Sequence, residues 1–160
     1  MMQHRIRAAG ILIENNKILL LKVRDFSGEY WIPPGGGFEA TDISTKRCLQ
    51  REFKEETGLE IDVGSLIAVR EFHEMTLERF NAEFFYHVES YQGEITLSNL
   101  SGMNDEEFIQ CIEWVDLNQL SGLRTFPSDM LFIVNQVMSH QFSEHLGCYI
   151  QGAQEKVNQL

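Results

Sequence analysis

The chain reads as an α/β protein in which a mixed β-sheet lies between helices, and three observations predict it. Apolar runs rich in β-branched and aromatic residues recur at 6–13, 17–23, 59–72, 79–88 and 109–115. A short helical pattern ends at Gly58, and a second follows Pro127. The resulting order of strand, strand, helix, strands, helix gives a sheet with apolar surface to bury on both faces. Periodicity alone leaves α/β and α+β both open. With 160 residues, 43% hydrophobic and 23% charged, the chain reads as one domain over 1–160 with room for a real core.

The first two runs flank Glu14-Asn15-Asn16 and read as a β-hairpin, the second run (17–23) being near-continuous and therefore central. Tyr30-Trp31-Ile32 extends the sheet until Pro33-Pro34-Gly35 ends it. Gly35-Gly36-Gly37 then reads as a turn leading to the first helix, with Thr41 or Asp42 as its cap and Gly58 as the left-handed residue past its end. Two strands follow around a turn at 76–78. The second has aromatic residues on both sides of its alternation, which predicts cover on both faces. A polar loop with an acidic end spans 98–107. A strand at 109–115 leads to a short helix, and Pro127 opens a helix of about fourteen residues, with Met130, Leu131, Ile133, Val134 and Val137 on one stripe. From about residue 142 the pattern leaves a last strand, a dimer contact and a loose end all open.

The chemistry concentrates in the first helix. Glu52, Glu55 and Glu56 stand at i, i+3 and i+4 and share one face. At roughly 100° per residue they fall inside or beside the stripe of Cys48, Leu49 and Phe53, while Arg47, Gln50, Arg51 and Lys54 fill the outward arc. A solvated acidic face would have the opposite arrangement. Carboxylates crowded beside a core repel one another and lose hydration, and a bound cation relieves both. Oxygen ligands of this kind suit Mg²⁺ or Mn²⁺.

Residues 51–59, Arg-Glu-Phe-Lys-Glu-Glu-Thr-Gly-Leu, resemble the second half of the signature box of the Nudix hydrolase superfamily. Phe53 stands where the family has a bulky aliphatic residue. The first half fits less well. The family spacing puts Ile43 at the first glutamate and Gly37 at the glycine; alternatively Asp42 is that acid and Gly36 the glycine, with one extra residue in the spacer. The segment 113–120 is also similar to the family's closing strand and helix.

The resemblance implies a Nudix-type α/β/α sandwich and a Mg²⁺-dependent pyrophosphohydrolase acting on a nucleoside diphosphate linked to another group, of nucleotide, ADP-ribose or nucleotide-sugar type. It implies Glu52, Glu55 and Glu56 as metal ligands, Glu52, Glu55 or Glu107 in catalysis, Gly36 and Gly37 shaping the substrate loop, and Arg51 as an orienting residue. In the family the first box acid pairs with the box arginine. Two other readings stand beside the enzyme: a Nudix-like sensor that binds a nucleotide without cutting it, which loss of box acids would mark, and an enzyme of the same fold acting on RNA 5′ ends or isoprenoid diphosphates.

Thirteen basic against twenty-four acidic residues give a net charge of −11, which argues against a nucleic-acid groove and for metal screening of any polyanionic substrate. The small-molecule substrate remains open. Cys48, Cys111 and Cys148 have no paired spacing and read as free thiols in a reducing cytoplasm. No run is apolar enough to span a bilayer, and 1–5 lack a signal core. Trp31 reads as core. Phe26, Tyr30 and Phe80 are candidates to stack a base, and Arg24, Arg70 and Arg79 to bind phosphate, with packing and salt bridges the commoner roles. His73, His87, His140 and His145 show no ligand spacing.

Overall fold

In the computed structural model, residues 1–102, 108–152 and 156–158 are described, the last three by backbone alone. The acidic loop end at 103–107, Glu107 included, lies outside them. The strands are β1 (Gln3–Ile11), β2 (Ile13–Glu14), β3 (Lys17–Asp25), β4 (Gly28–Ile32), β5 (Gly35–Gly37), β6 (Glu60–Glu74), β7 (Arg79–Gln92), β8 (Ile109–Asp116), β9 (Cys148–Ile150) and β10 (Lys156–Asn158). The helices are α1 (Thr45–Thr57) and α2 (Met130–Met138).

One sheet has the order β5-β1-β7-β6, with β1 parallel to β7 and the other pairs antiparallel. The second centres on β3, which pairs antiparallel with β2, β4 and β8. Alternation along the strands sends side chains to two cores. Ala8, Leu12, Leu19, Tyr86 and Val88 pack with Cys48, Leu49 and Phe53 of α1. Ala9, Ile11, Ile18, Leu20 and Phe85 pack with Met130, Ile133, Val134 and Val137 of α2. Helices thus cover the strands from both sides, the predicted layering. Gly10 lets the sheet pack closely on α1: a Cβ there would lie 2.8 Å from the Phe53 ring and 2.9 Å from Val88.

Several local expectations are corrected. The hairpin exists only at its tip, where Asn15 and Asn16 take positive φ and Ile13–Glu14 pairs with Lys17–Ile18. The body of the first run leaves β3 and pairs with β7, some seventy residues away in sequence. The triple glycine is a short strand on β1, and a side chain at Gly35 would run into the Ala8 and Ala9 backbone. Ser44, not Thr41 or Asp42, caps α1, its Oγ accepting from Arg47 N–H at 3.2 Å; Gly58 ends it at φ 79°, as expected. The second helix is nine residues rather than fourteen and begins after Asp129. Ser139 Oγ bonds back to the Asn135 carbonyl at 2.6 Å and His140 takes φ 53°, which stops it; Leu131 faces outward. Beyond 142, β9 and β10 form a small hairpin, and Ser143 bridges to Leu66. No helix among the described residues is long and apolar enough to cross a membrane.

Candidate active site

Arg51 is the hub of the site. Its Nε donates to Asp42 Oδ1 at 2.8 Å and its Nη2 to Asp42 Oδ2 at 2.9 Å, a two-pronged pair on a buried carboxylate. Nη2 also reaches the Gly37 carbonyl at 2.9 Å. Nη1 donates to Glu52 Oε1 at 3.0 Å and lies 3.4 Å from Glu55 Oε2. The outward position expected for Arg51 is therefore corrected: its stem starts beside the exposed arc, and the guanidinium reaches back into the acids. Donation from Arg51 lowers the Asp42 pKa below the usual carboxylate range, and the Asp42 hydrogen bond raises that of Arg51.

Asp42 thus occupies the partner position of the box arginine, and Ile43 is the extra residue. It takes φ 68°, a left-handed conformation rare for a β-branched side chain. That turn lets Asp42 face Arg51 while Ser44, two residues on, caps the helix. The Asp42 carboxylate also accepts from Glu39 N–H at 2.7 Å, tying down the segment between β5 and α1.

Glu52 and Glu56 are both buried on α1, and Glu55 is half-buried. Glu56 Oε1 accepts from Gly35 N–H at 2.7 Å. The Glu52 carboxylate occupies the space a side chain at Gly36 would need: a Cβ there would sit 2.5 Å from both its oxygens. At Gly37 a Cβ would meet Arg5 Nε at 2.9 Å. The three glycines are therefore shaped by the acids and by Arg5, not only by chain reversal. Among the described residues no three Asp, Glu, His or Cys side chains converge into one cation cage. Arg51 bridges Glu52 to Glu55, and Glu56 is engaged at Gly35. Cys48 lies under the site, and burial pushes its thiol up to about 12, so it is an inert core thiol.

A second set of polar residues comes together beside the acids, and of these the sequence singles out only Arg70, as a phosphate candidate. On β1 and β7 the register pairs Ala9 with Phe85, Arg7 with Glu83 and Arg5 with Asn81. On β6 it sets Ala68, Arg70 and Phe72 against the same three β7 residues. One sheet face thus passes from the α2 core to a charged layer and then to an amide and an aromatic ring. Glu83, buried, accepts from Arg7 Nε at 2.8 Å and Arg70 Nη2 at 2.9 Å. Burial opposes the Arg7 charge, but Glu83, with Glu56 and Glu52 behind it, more than offsets this and raises its pKa. Arg5 and Arg7 line both a small recess beside Glu56 and Gly35 and a cavity of about 400 Å³ that extends to Tyr30 and Phe72. The readable signal was polar residues at period two, Arg5-Arg7 and Asn81-Glu83, on a strand face that elsewhere turns inward.

The remaining candidates separate. Arg24 pairs with Glu29 and Arg79 with Glu74, the commoner role for each. Phe26 is fully exposed and Phe80 packs on His4 and His73; only Tyr30 of the three stacking candidates lines the cavity. Trp31 packs against the α2 core as expected. The cysteines are free.

The sequence pattern of the NUDIX domain matches residues 4–133. Putative hydrolase 111R of Invertebrate iridescent virus 3 is 46% identical over 55 residues, a match covering 34% of this chain and only 31% of that relative's length. Among solved structures, the MutT NUDIX hydrolase of Burkholderia pseudomallei superposes with a TM-score of 0.68 at 20% identity, over 84% of this chain and 98% of that one. The MutT protein of Methanosarcina mazei Go1 gives 0.66 at 21%, over 87% and 96%. The E. coli ORF135 protein gives 0.66 at 23%, over 86% and 91%. At these identities the structural likenesses bear on the fold alone.

Proposed function

The chain belongs to the NUDIX domain family, a family of hydrolases, and we infer that it is a divalent-metal-dependent pyrophosphohydrolase cutting the diphosphate of a nucleoside diphosphate linked to another group. The observation that carries this reading is Arg51, fixed by Asp42 and the Gly37 carbonyl and laid against Glu52 and Glu55. An arginine so anchored orients carboxylates that a solvated helix face would leave free to rotate.

The residues fit a hard cation. Glu52, Glu55 and Glu56 offer carboxylate oxygens, the donors Mg²⁺ and Mn²⁺ take, and the absent side chain at Gly36 leaves room for the Glu52 carboxylate. Bound there, such a cation supplies charge neutralisation on the diphosphate oxygens and in the transition state. The rest falls to the chain itself. Arg51 holds Glu52 and Glu55 in place, and Gly35 N–H holds Glu56. Water attacks one phosphorus, a carboxylate takes its proton, and the bridging P–O bond breaks so that the other phosphate leaves with the electron pair; Glu52 and Glu55 are the candidates for the base on α1, and Glu107 the candidate from the acidic loop. Arg5 and Arg7, beside Glu56, give an anionic substrate a local cationic wall in a chain of net charge −11.

No observation favours a non-cutting sensor, since all three box acids are present. The test is turnover of a panel of nucleoside diphosphate compounds with Mg²⁺ and with Mn²⁺. Phosphate-ester products from at least one compound are expected; binding across the panel without any cleavage overturns the reading.

A further inference from the structure

Strand β6 ends the sheet β5-β1-β7-β6, so one side of its backbone faces away from β7. The chain after α2 covers that side at one place. Ser143 N–H donates to the Leu66 carbonyl at 2.8 Å, and its hydroxyl to the Ile67 carbonyl at 3.1 Å. From Ala68 to Glu74 no strand among the described residues pairs with the outer edge. An open edge is a template for another strand, and folds blunt it with Pro, Lys or a bulge. Residues 68–74, Ala-Val-Arg-Glu-Phe-His-Glu, contain neither Pro nor Lys. The register shifts of β6 against β7 all fall between Asp62 and Ala68, and from there to Glu74 the ladder is unbroken. Exposed apolar side chains flank this stretch, Val69 at 51% and Met75 at 80%.

We propose that this edge pairs antiparallel with the same edge of a second copy of the chain, about a two-fold axis at Phe72. A two-fold perpendicular to the sheet keeps each side chain on its own face, so the axis must pass through a residue. The sequence decides which one. An axis at Arg70 sets arginine against arginine, and an axis at Glu71 sets glutamate against glutamate. Like charges directly opposite are destabilising. An axis at His73 sets Phe72 against Glu74 and Glu71 against Met75. An axis at Val69 brings Phe72 of the second copy to Leu66, where Ser143 already sits. An axis at Phe72 sets ring against ring, Glu71 against His73 and Arg70 against Glu74, and symmetry repeats the last two pairs. Just beyond the strand end it brings the exposed Val69 opposite the exposed Met75. The match holds on both faces. Glu71 and His73 are exposed on one; Arg70 and Glu74, held by Glu83 and Asn81, are partly exposed on the other. Two copies of a chain of net charge −11 repel at long range, so a self-contact needs its own charges to match.

The test is sedimentation equilibrium of the full chain. The average mass is expected to rise from 18.5 kDa toward twice that value as concentration passes through the micromolar range, the weak end expected of a contact made by one strand edge. Glu71→Lys puts a lysine opposite His73, and His73→Glu puts a glutamate opposite Glu71. Symmetry applies each change twice, so each is expected to raise the dimer dissociation constant about tenfold or more. The double variant Glu71→Lys with His73→Glu sets opposite signs against each other again and is expected to recover the wild-type constant. Both side chains are exposed, so the fold should tolerate the changes, and thermal melts check this. Hydrogen exchange on the wild type supplies an arm free of substitutions: amides of 68–74 should gain protection as concentration rises, while the rest of the sheet does not. A monomer at every concentration overturns the proposal. So does a dimer that ignores both single changes, a double variant that does not recover, or exchange at 68–74 that is independent of concentration.

Discussion

Asp42 and Arg51 face each other through two hydrogen bonds of 2.8 and 2.9 Å, across a spacer one residue longer than the signature box prescribes. The extra residue does not lengthen the helix. It is absorbed at Ile43, which turns through the left-handed region before Ser44 caps α1.

The pair has a pH signature. Hydrogen bonding from Arg51, above all, holds the folded Asp42 pKa below its unfolded value. The stability it contributes is therefore complete above the ordinary carboxylate pKa of about 4 and is lost as pH falls through the lower folded value. Asp42→Asn at neutral pH is expected to cost about 3 kcal/mol, as when one partner of a buried pair is removed. Urea titrations of wild type and variant from pH 7 downward should show the two stabilities converging in acid; parallel curves would separate Asp42 from the acid limb.

Ile43 pays a left-handed penalty that glycine avoids and asparagine reduces. The residue is 55% exposed, so little packing is lost on replacement. Ile43→Gly is expected to stabilise the fold by about 1 kcal/mol, the lower end of the left-handed penalty for an L residue. A thermal melt that falls instead would show that the turn is held by side-chain contacts of Ile43.

Gly36→Ala places a methyl group against both Glu52 oxygens. The carboxylate must move, because the glycine backbone is paired to β1. Turnover is expected to drop roughly a hundredfold or more, the scale of misplacing a reacting group by about 1 Å, with a rise in the metal concentration needed for half-activity. Unchanged metal dependence would place the cation elsewhere.

Glu52→Gln and Glu56→Gln separate chemistry from folding. The glutamine oxygen at position 56 still accepts from Gly35 N–H, so the metal-free melting temperature should move little; at position 52 the charged contact with Arg51 is weakened and a small decrease is expected. Both should lower turnover by orders of magnitude. Chelation should abolish wild-type activity and added Mg²⁺ or Mn²⁺ restore it. Glu144, exposed and outside the group of acids on α1, is the control; Glu29 is a poorer one because it is engaged with Lys22 and Arg24.

What was legible in the chain is what depends on neighbours three or four residues apart. Glu52, Glu55 and Glu56 share a helix face because of helical periodicity, Gly58 ends that helix because it accepts positive φ, and the alternating runs become strands covered on both sides. These are local rules, and they carried the fold class and the resemblance on residues 51–59. The choice between Ile43 and Asp42 as the box acid could not be made from spacing, since it turns on whether one β-branched residue takes a rare conformation. The parallel pairing of β1 with β7 was equally out of reach, because register across more than seventy residues is decided by which apolar faces must share α1 and α2. That pairing alone brings Arg7 to Glu83, and the β6–β7 register brings Arg70 and Phe72 beside Glu83 and Asn81. The acids of α1 are thus a property of one segment of sequence, whereas the cavity beside them exists only where strands β1, β4, β6 and β7 meet, because its polar atoms come from segments that nothing but long-range packing holds together.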